Sequence, residues 1–197
     1  MIKACKKCRR EGEKLLLKGD RCMSPKCSMI KRPYGPGQHG AQSNTKFSEY
    51  GRQLREKQKI KKIYGIEEAA LRGYYNKAEK NMGSTSENLI RFLESRLDNI
   101  VYRSNIFNSR STAKQFVTHG KAILNGQKVT IPSILLSPGD IITLNGVEIT
   151  AKKKNENFPS WIDLNIKEKQ IIIKNLPTRQ EIPININESL IVEYYSR

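Results

Sequence analysis

The chain has 197 residues, long enough for one large or two small domains with cores of their own, and it carries 36 Lys and Arg against 19 Asp and Glu. The formal charge of +17 and a sequence pI near 9.8 call for an anionic partner, nucleic acid foremost and ahead of a membrane surface. No apolar run nears the roughly 18–20 residues that cross a bilayer, and cysteines and charges interrupt the start where a signal peptide needs an apolar core, so a soluble, intracellular protein without a membrane partner is expected. The charge is uneven: residues 1–62 hold 18 basic side chains against 5 acids, the remainder 18 against 14.

Residues 1–45 have few periodic apolar positions and many Gly, Pro and Cys, which marks an arm that something other than a hydrophobic core must fix. All four cysteines lie here, Cys5 and Cys8 followed after thirteen residues by Cys22 and then Cys27. Two short loops thereby offer four thiolates to one tetrahedral ion, the arrangement of a structural Zn2+; an iron–sulfur cluster is the lesser alternative, and a reducing compartment disfavours disulfides. Four protein ligands leave no open position for substrate, so such a zinc would fold the arm and not catalyse. It would hold Lys6, Lys7, Arg9, Arg10, Lys26, Lys31 and Arg32 as a cationic knuckle. The stretch KRPYGPGQHG, residues 31–40, is too rich in Gly and Pro for a helix or a central strand and reads as an irregular loop. Gly35, Gly37 and Gly40 would let its backbone approach a phosphate beside Lys31 and Arg32. Tyr34, Gln38 and His39 are further candidates for RNA contact, His39 as a hydrogen-bonding loop residue and not as a general base.

Phe47, Tyr50 and Leu54, continued by Ile60, Ile63 and Tyr64, have helical spacing and predict a helix over 46–64 that Gly65 stops. It carries Lys46, Arg52, Arg55, Lys57, Lys59, Lys61 and Lys62 against Glu49 and Glu56, a set that serves either as a solvated face or as a nucleic-acid surface. A second helix is expected over 67–79, then a linker and domain boundary at 81–86. Ser84 and Glu87 make a capping-box pattern ahead of Leu89, Ile90, Leu93, Leu97, Ile100 and Val101, which predicts a third helix through these positions. A short fourth helix begins at Ser109, turns Ala113, Phe116 and Val117 inward and stops at Gly120. Beyond it the period becomes 2. Asn125-Gly126 and Asn145-Gly146 read as type I′ hairpin turns, and 161–166 with 170–174 as a further strand pair. The expected class is α+β: the arm, a helical domain over 46–85 completed by 176–197, and a unit over 86–175 of two helices and antiparallel strands. No catalytic constellation is present, since His39 and His119 are the only histidines and there is no phosphate-binding P-loop or nucleophile elbow. A binding protein is expected, with no small-molecule substrate.

Over almost their whole length these motifs resemble the small-subunit ribosomal protein S-four family. CRREGEKLLLKGDRC with SPKC, RPYGPGQHG, and YGRQLREKQK with IYG resemble its zinc-bearing bacterial N-terminal region; RLDNIVYRSNIFNSRSTAKQFVTHGKAILNGQKVTIPS resembles its RNA-binding module, and LPTRQEIPININESLIVEYYSR its C-terminal end. The resemblance implies a helical first domain completed by the C-terminal segment, and a second domain with the S-four RNA-binding fold. It also implies binding to the 5′ domain of small-subunit ribosomal RNA early in assembly, in the cytoplasm or an organelle. A place beside small-subunit proteins three and five, near the channel by which messenger RNA enters, and an influence on decoding accuracy complete the implied role. The module's motif falls on Arg96, Asp98, Arg103, Ser109, Arg110, Lys114, His119 and Gly120, with Lys121 beside them, and a helix N-terminus there would offer N–H groups to a phosphate. Asp98 is expected to orient an arginine, because a carboxylate repels phosphate. Residues 104–108, SNIFN, replace the family's usual turn, and 144–157 lacks family character and reads as a variable surface loop or hairpin. An RNA-modifying enzyme built on the same module would need a separate catalytic domain, for which no residues remain; a free-standing translational regulator would use the same surface.

Overall fold

A computed structural model describes residues 4–42, 46–147 and 158–196, and the chain divides into two compact units, Met1–Asn76 with Asn185–Arg197 and Lys77–Ile184. In chain order the helices are α1 (Ala4–Glu11), α2 (Asp20–Met23), α3 (Ser28–Lys31), α4 (Glu49–Tyr64), α5 (Glu68–Lys80), α6 (Thr85–Glu94), α7 (Leu97–Arg103) and α8 (Arg110–Thr118). Strands β1 (Ala122–Leu124), β2 (Gln127–Val129), β3 (Ile141–Leu144), β4 (Ile162–Asn165) and β5 (Gln170–Ile173) follow, then a 3-10 turn and α9 (Glu188–Tyr195). The class is α+β, as expected. No helix among the described residues is long and apolar enough to cross a membrane.

In the first unit α4 begins at Glu49 and not at Lys46, because the Ser48 hydroxyl accepts the Gly51 N–H and fixes the start. Gly65, at φ 64, closes it in a left-handed cap. The C-terminal helix α9 lies along α4. Gln53 Nε2 donates to Glu193 (3.1 Å), and the Asn187 N–H donates to Glu56 (3.2 Å). The side chain of Asn187 caps α9 itself by accepting the Leu190 N–H. Rings of Tyr50 and Tyr194 stack at 5.7 Å and those of Tyr75 and Tyr195 at 4.8 Å. Buried among them, Lys57 sits 4.0 Å from the Tyr194 ring centre and 3.0 Å from Glu68 Oε1.

In the second unit the expected third helix is two. Residue Arg96 is extended (φ −68°, ψ 140°) and bridges to Leu135; the Leu97 N–H donates to the Ile134 carbonyl and the Leu136 N–H to the Ser95 carbonyl, both at 2.9 Å. These crossing bonds satisfy backbone groups that a continuous helix would have used internally, so the chain bends between α6 and α7. The capping box at the start of α6 does not form: Ser84 Oγ bonds to Ser86 Oγ instead. The Ser109 side chain does cap α8, accepting the Thr112 N–H, and Gly120 ends the segment at φ 67. Asn125 and Gly126, both at positive φ, join β1 to β2 as expected. The antiparallel sheet runs β2-β1-β3-β5-β4. Leu97, Ile100, Val101, Phe116 and Val117 from the helices pack on Ile142, Leu144, Trp161, Ile171 and Ile173 from the sheet, a single core. After β3, Asn145 and Gly146 turn the chain; the rest of the expected hairpin, 148–157, lies outside the described residues.

Glu68 gives the first unit one pH-dependent contribution. Burial alone would raise its pKa, but bonds from Lys61, Lys57 and the Tyr195 hydroxyl outweigh burial and hold it down to about 2, from the usual 4.5. A carboxylate depressed on folding stabilises the fold fully above 4.5 and loses that contribution as pH falls towards 2. Thermal melts of the wild type and Glu68→Gln should therefore differ most at neutral pH, and the gap should close on acidification through that window; a gap constant with pH would remove Glu68 from the acid response.

Candidate nucleic-acid interface

The glycine-rich loop at 31–40 closes on itself. A Cβ on Gly40 would overlap the Gly35 carbonyl oxygen, and Gly37 takes φ 122, so only glycine fits both places. Arg9, expected as an open cation, holds this loop from α1. Its Nε donates to the Tyr34 carbonyl (2.9 Å) and its Nη2 to the Gly35 carbonyl (3.1 Å), with the guanidinium 4.9 Å from the Tyr34 ring centre. Gly37 and Gly40 thus serve the loop's own closure. Lys31, Arg32, Tyr34, Gln38 and His39 are exposed along it.

The four cysteines come together. Cys8, Cys22 and Cys27 are buried, Cys5 is half-buried, and all carry free thiols around one cavity of about 20 Å³. The Cys8 thiol is pushed up, first by burial and then by the nearby sulfurs of Cys22, Cys5 and Cys27, while a bond with the Leu15 backbone opposes the shift. The Lys18 N–H donates to Cys22 Sγ (3.4 Å). Four soft sulfurs with backbone donors to two of them, and no carboxylate lining the cavity, suit a soft tetrahedral ion. As they stand, no three or more Cys, His, Asp or Glu side chains among the described residues are grouped to hold a metal.

The basic face expected on α4 is largely internal. Glu11 of α1, its side chain only 2 % exposed, pairs with Arg55 (3.4 Å) and with Lys62; Glu13 takes Lys59 (2.7 Å); Lys57 belongs to Glu68. Lys57 and Lys59 are buried, so neither offers its ammonium group to an outside partner as the sequence suggested. The physical reason is that α4 is covered by α1 and α9, and a cation removed from water needs a carboxylate beside it. What remains exposed is Arg52 on this helix, Lys46 just before it, and Lys6 and Arg10 on α1, with Lys7 half-buried.

In the second unit the expected arginines are similarly engaged. Arg96 is buried and forks onto Asp98 (3.0 and 2.9 Å), so Asp98 does orient an arginine. Arg103 forks onto Glu94 (2.8 and 2.6 Å), whose side chain is wholly buried. Asn99 Nδ2 donates to the same carboxylate (2.7 Å), and Asn99 Oδ1 accepts from Arg110 Nε (2.8 Å), while Arg110 stacks 4.4 Å from the Tyr102 ring centre. Glu94, Asn99 and Tyr102 were not singled out from sequence. One signal was available for the first: Glu94 stands four residues after Ile90 and next to Leu93, on the apolar stripe of its helix, where an acid requires a partner. Ser109 is buried as the cap of α8, and Lys114, His119 and Lys121 are exposed around that helix.

Two domain families match this chain consecutively, the ribosomal protein S4/S9 N-terminal domain over residues 2–94 and the S4 domain over 95–142. The small ribosomal subunit protein uS4A of Clostridium botulinum (strain ATCC 19397 / Type A) is 50% identical, over 98% of this chain and 96% of its own. The uS4 proteins of Halothermothrix orenii and Clostridioides difficile are each 47% identical, over 98% of this chain and 96% and 97% of theirs. With both domain families in order and likeness along nearly the whole length, the chain belongs to the uS4 family of small ribosomal subunit proteins, whose members are structural and not enzymatic.

Proposed function

We propose that the chain is a primary binder of the 5′ domain of small-subunit ribosomal RNA, docking early at a multi-helix junction and helping to nucleate assembly of the small subunit in the cytoplasm. In the finished subunit it lies beside proteins three and five, near the channel by which messenger RNA enters, and contributes to decoding accuracy. One observation carries this reading: the sorting of the cations. Lys6, Arg10, Lys31, Arg32 and Arg52 in the first unit, and Lys114 and Lys121 in the second, are exposed and held in no ion pair among the described residues, whereas the buried cations are matched by acids. An unneutralised surface of this kind meets phosphates, and its members lie on scaffolds fixed in place, which favours RNA with a folded shape over a base sequence.

Cys5, Cys8, Cys22 and Cys27 are proposed as the ligands of a structural zinc, a better match to one small cavity that all four thiols line than an iron–sulfur cluster. Bound there, the ion would supply no chemistry beyond cross-linking α1 to the segments around α2 and α3. The chain's own backbone donors at Leu15 and Lys18 would steady the sulfurs.

Two measurements test these readings. Changing Arg10, Arg32 and Arg52 together to alanine should weaken binding to a 5′-domain transcript and lower the slope of log K against log salt by about 0.7–0.9 for each phosphate no longer neutralised, with bulk transfer RNA as competitor. A slope equal to that of the wild type would place the RNA on another face. Chelation, or Cys22→Ser, should collapse the amide dispersion of residues 4–42 while the signals of the second unit persist; arm signals that stay dispersed in metal-free protein would rule out a metal-dependent arm.

A further inference from the structure

We infer that Asn99 and Tyr102, anchored through Glu94, are positioning residues for Arg110, so that the second unit meets RNA with an arginine already oriented at the head of α8. This rests on the RNA-binding reading above. The chain of bonds runs in one direction. Glu94 is wholly buried and accepts both arms of the Arg103 fork. That carboxylate, together with the Glu94 backbone carbonyl (3.1 Å), takes both bonds from Asn99 Nδ2 and so decides which way the Asn99 amide points. With its amino group committed inward, Asn99 turns Oδ1 to Arg110 Nε at 2.8 Å.

Burial of Glu94 does not require that last step. The fork from Arg103 already satisfies the carboxylate, and the bond to Arg110 extends the network outward to a half-buried residue at the first position of α8. An amide suits position 99 because it donates to a carboxylate and accepts from a guanidinium at once; aspartate would face Glu94 with like charge, and leucine would serve neither partner. Tyr102 supplies a second constraint by covering one face of the guanidinium at 4.4 Å. The Nε bond and the ring beside it together restrict the orientation of the planar group. An arginine ordered before binding gives up little rotamer freedom when it meets a phosphate or base edge. Lysine has the charge but no Nε edge for Asn99 to hold.

A double-mutant cycle in the full-length protein tests the inference, with a 5′-domain transcript as the probe and binding read at temperatures where circular dichroism shows each variant folded. Arg110→Ala and Asn99→Ala should each weaken binding roughly tenfold, and the double variant by about the same tenfold, because Asn99 acts only through Arg110. Roughly hundredfold loss in the double variant would make Asn99 an independent structural contributor and overturn the inference. Unchanged binding in Arg110→Ala would overturn it together with the assignment of Arg110 to RNA, while the salt-slope result for the first unit would stand. If Asn99→Ala does not fold, Arg110→Lys decides: binding near the Arg110→Ala level supports an oriented guanidinium, and wild-type binding shows that charge alone suffices and overturns it.

Discussion

A carboxylate held between basic side chains is the interaction on which both units depend. Glu11 joins α1 to Arg55 and Lys62 of α4, Glu68 gathers Lys57, Lys61 and Tyr195, and Glu94 gathers Arg103 and Asn99. A chain with a net charge of +17 cannot bring its helices together without placing some cations out of water, and an uncompensated buried charge is strongly destabilising. The few acids of the N-terminal region provide that compensation, for Glu11, Glu13 and Glu56 all face cations of α4. The same bonds that permit packing therefore decide which cations are left for a partner.

That division was not legible in the sequence. Local features were: the helical spacing of α4, the serine cap of α8 and the Asn-Gly turn of the first hairpin each rest on residues within a few positions of one another. The pairs of Glu11 and Glu13 with α4 join residues 44 to 51 apart along the chain, those of Glu68 cross from one helix to the next, and no periodicity reports either kind, so every lysine of α4 looked alike. The bend between α6 and α7 was hidden for a related reason. The apolar stripe from Leu89 to Val101 continues across it, and the interruption comes from backbone partners at Ile134 to Leu136 that only the folded sheet brings near. Glu94 is the intermediate case, visible as an acid on an apolar stripe but with partners that could not be named.

The loop at 31–40 shows that a glycine can answer to the chain's own packing as well as to a ligand. Its glycines and prolines do exclude helix and strand, yet the glycine at 40 answers to the carbonyl of Gly35 and not to a ligand. The loop is held by Arg9, which commits its fork to two loop carbonyls and its face to Tyr34. An arginine adjoining a cysteine ligand candidate is thus internal structure, and its neighbours Lys6 and Arg10, one turn or one residue away on α1, are the exposed members of that helix.

Both units place a forked arginine beside their outward charges. In the arm Arg9 sets the loop that carries Lys31 and Arg32; in the second unit Arg103 and Glu94 set the amide that meets Arg110. A side chain held as Arg110 is loses less freedom on binding than a solvated lysine on a mobile tail, but it also tolerates fewer arrangements of phosphates. For the RNA-binding role proposed here, the expected gain is discrimination: a polycation with the same net charge would bind any RNA, whereas fixed cations bind well only where a folded junction repeats their spacing.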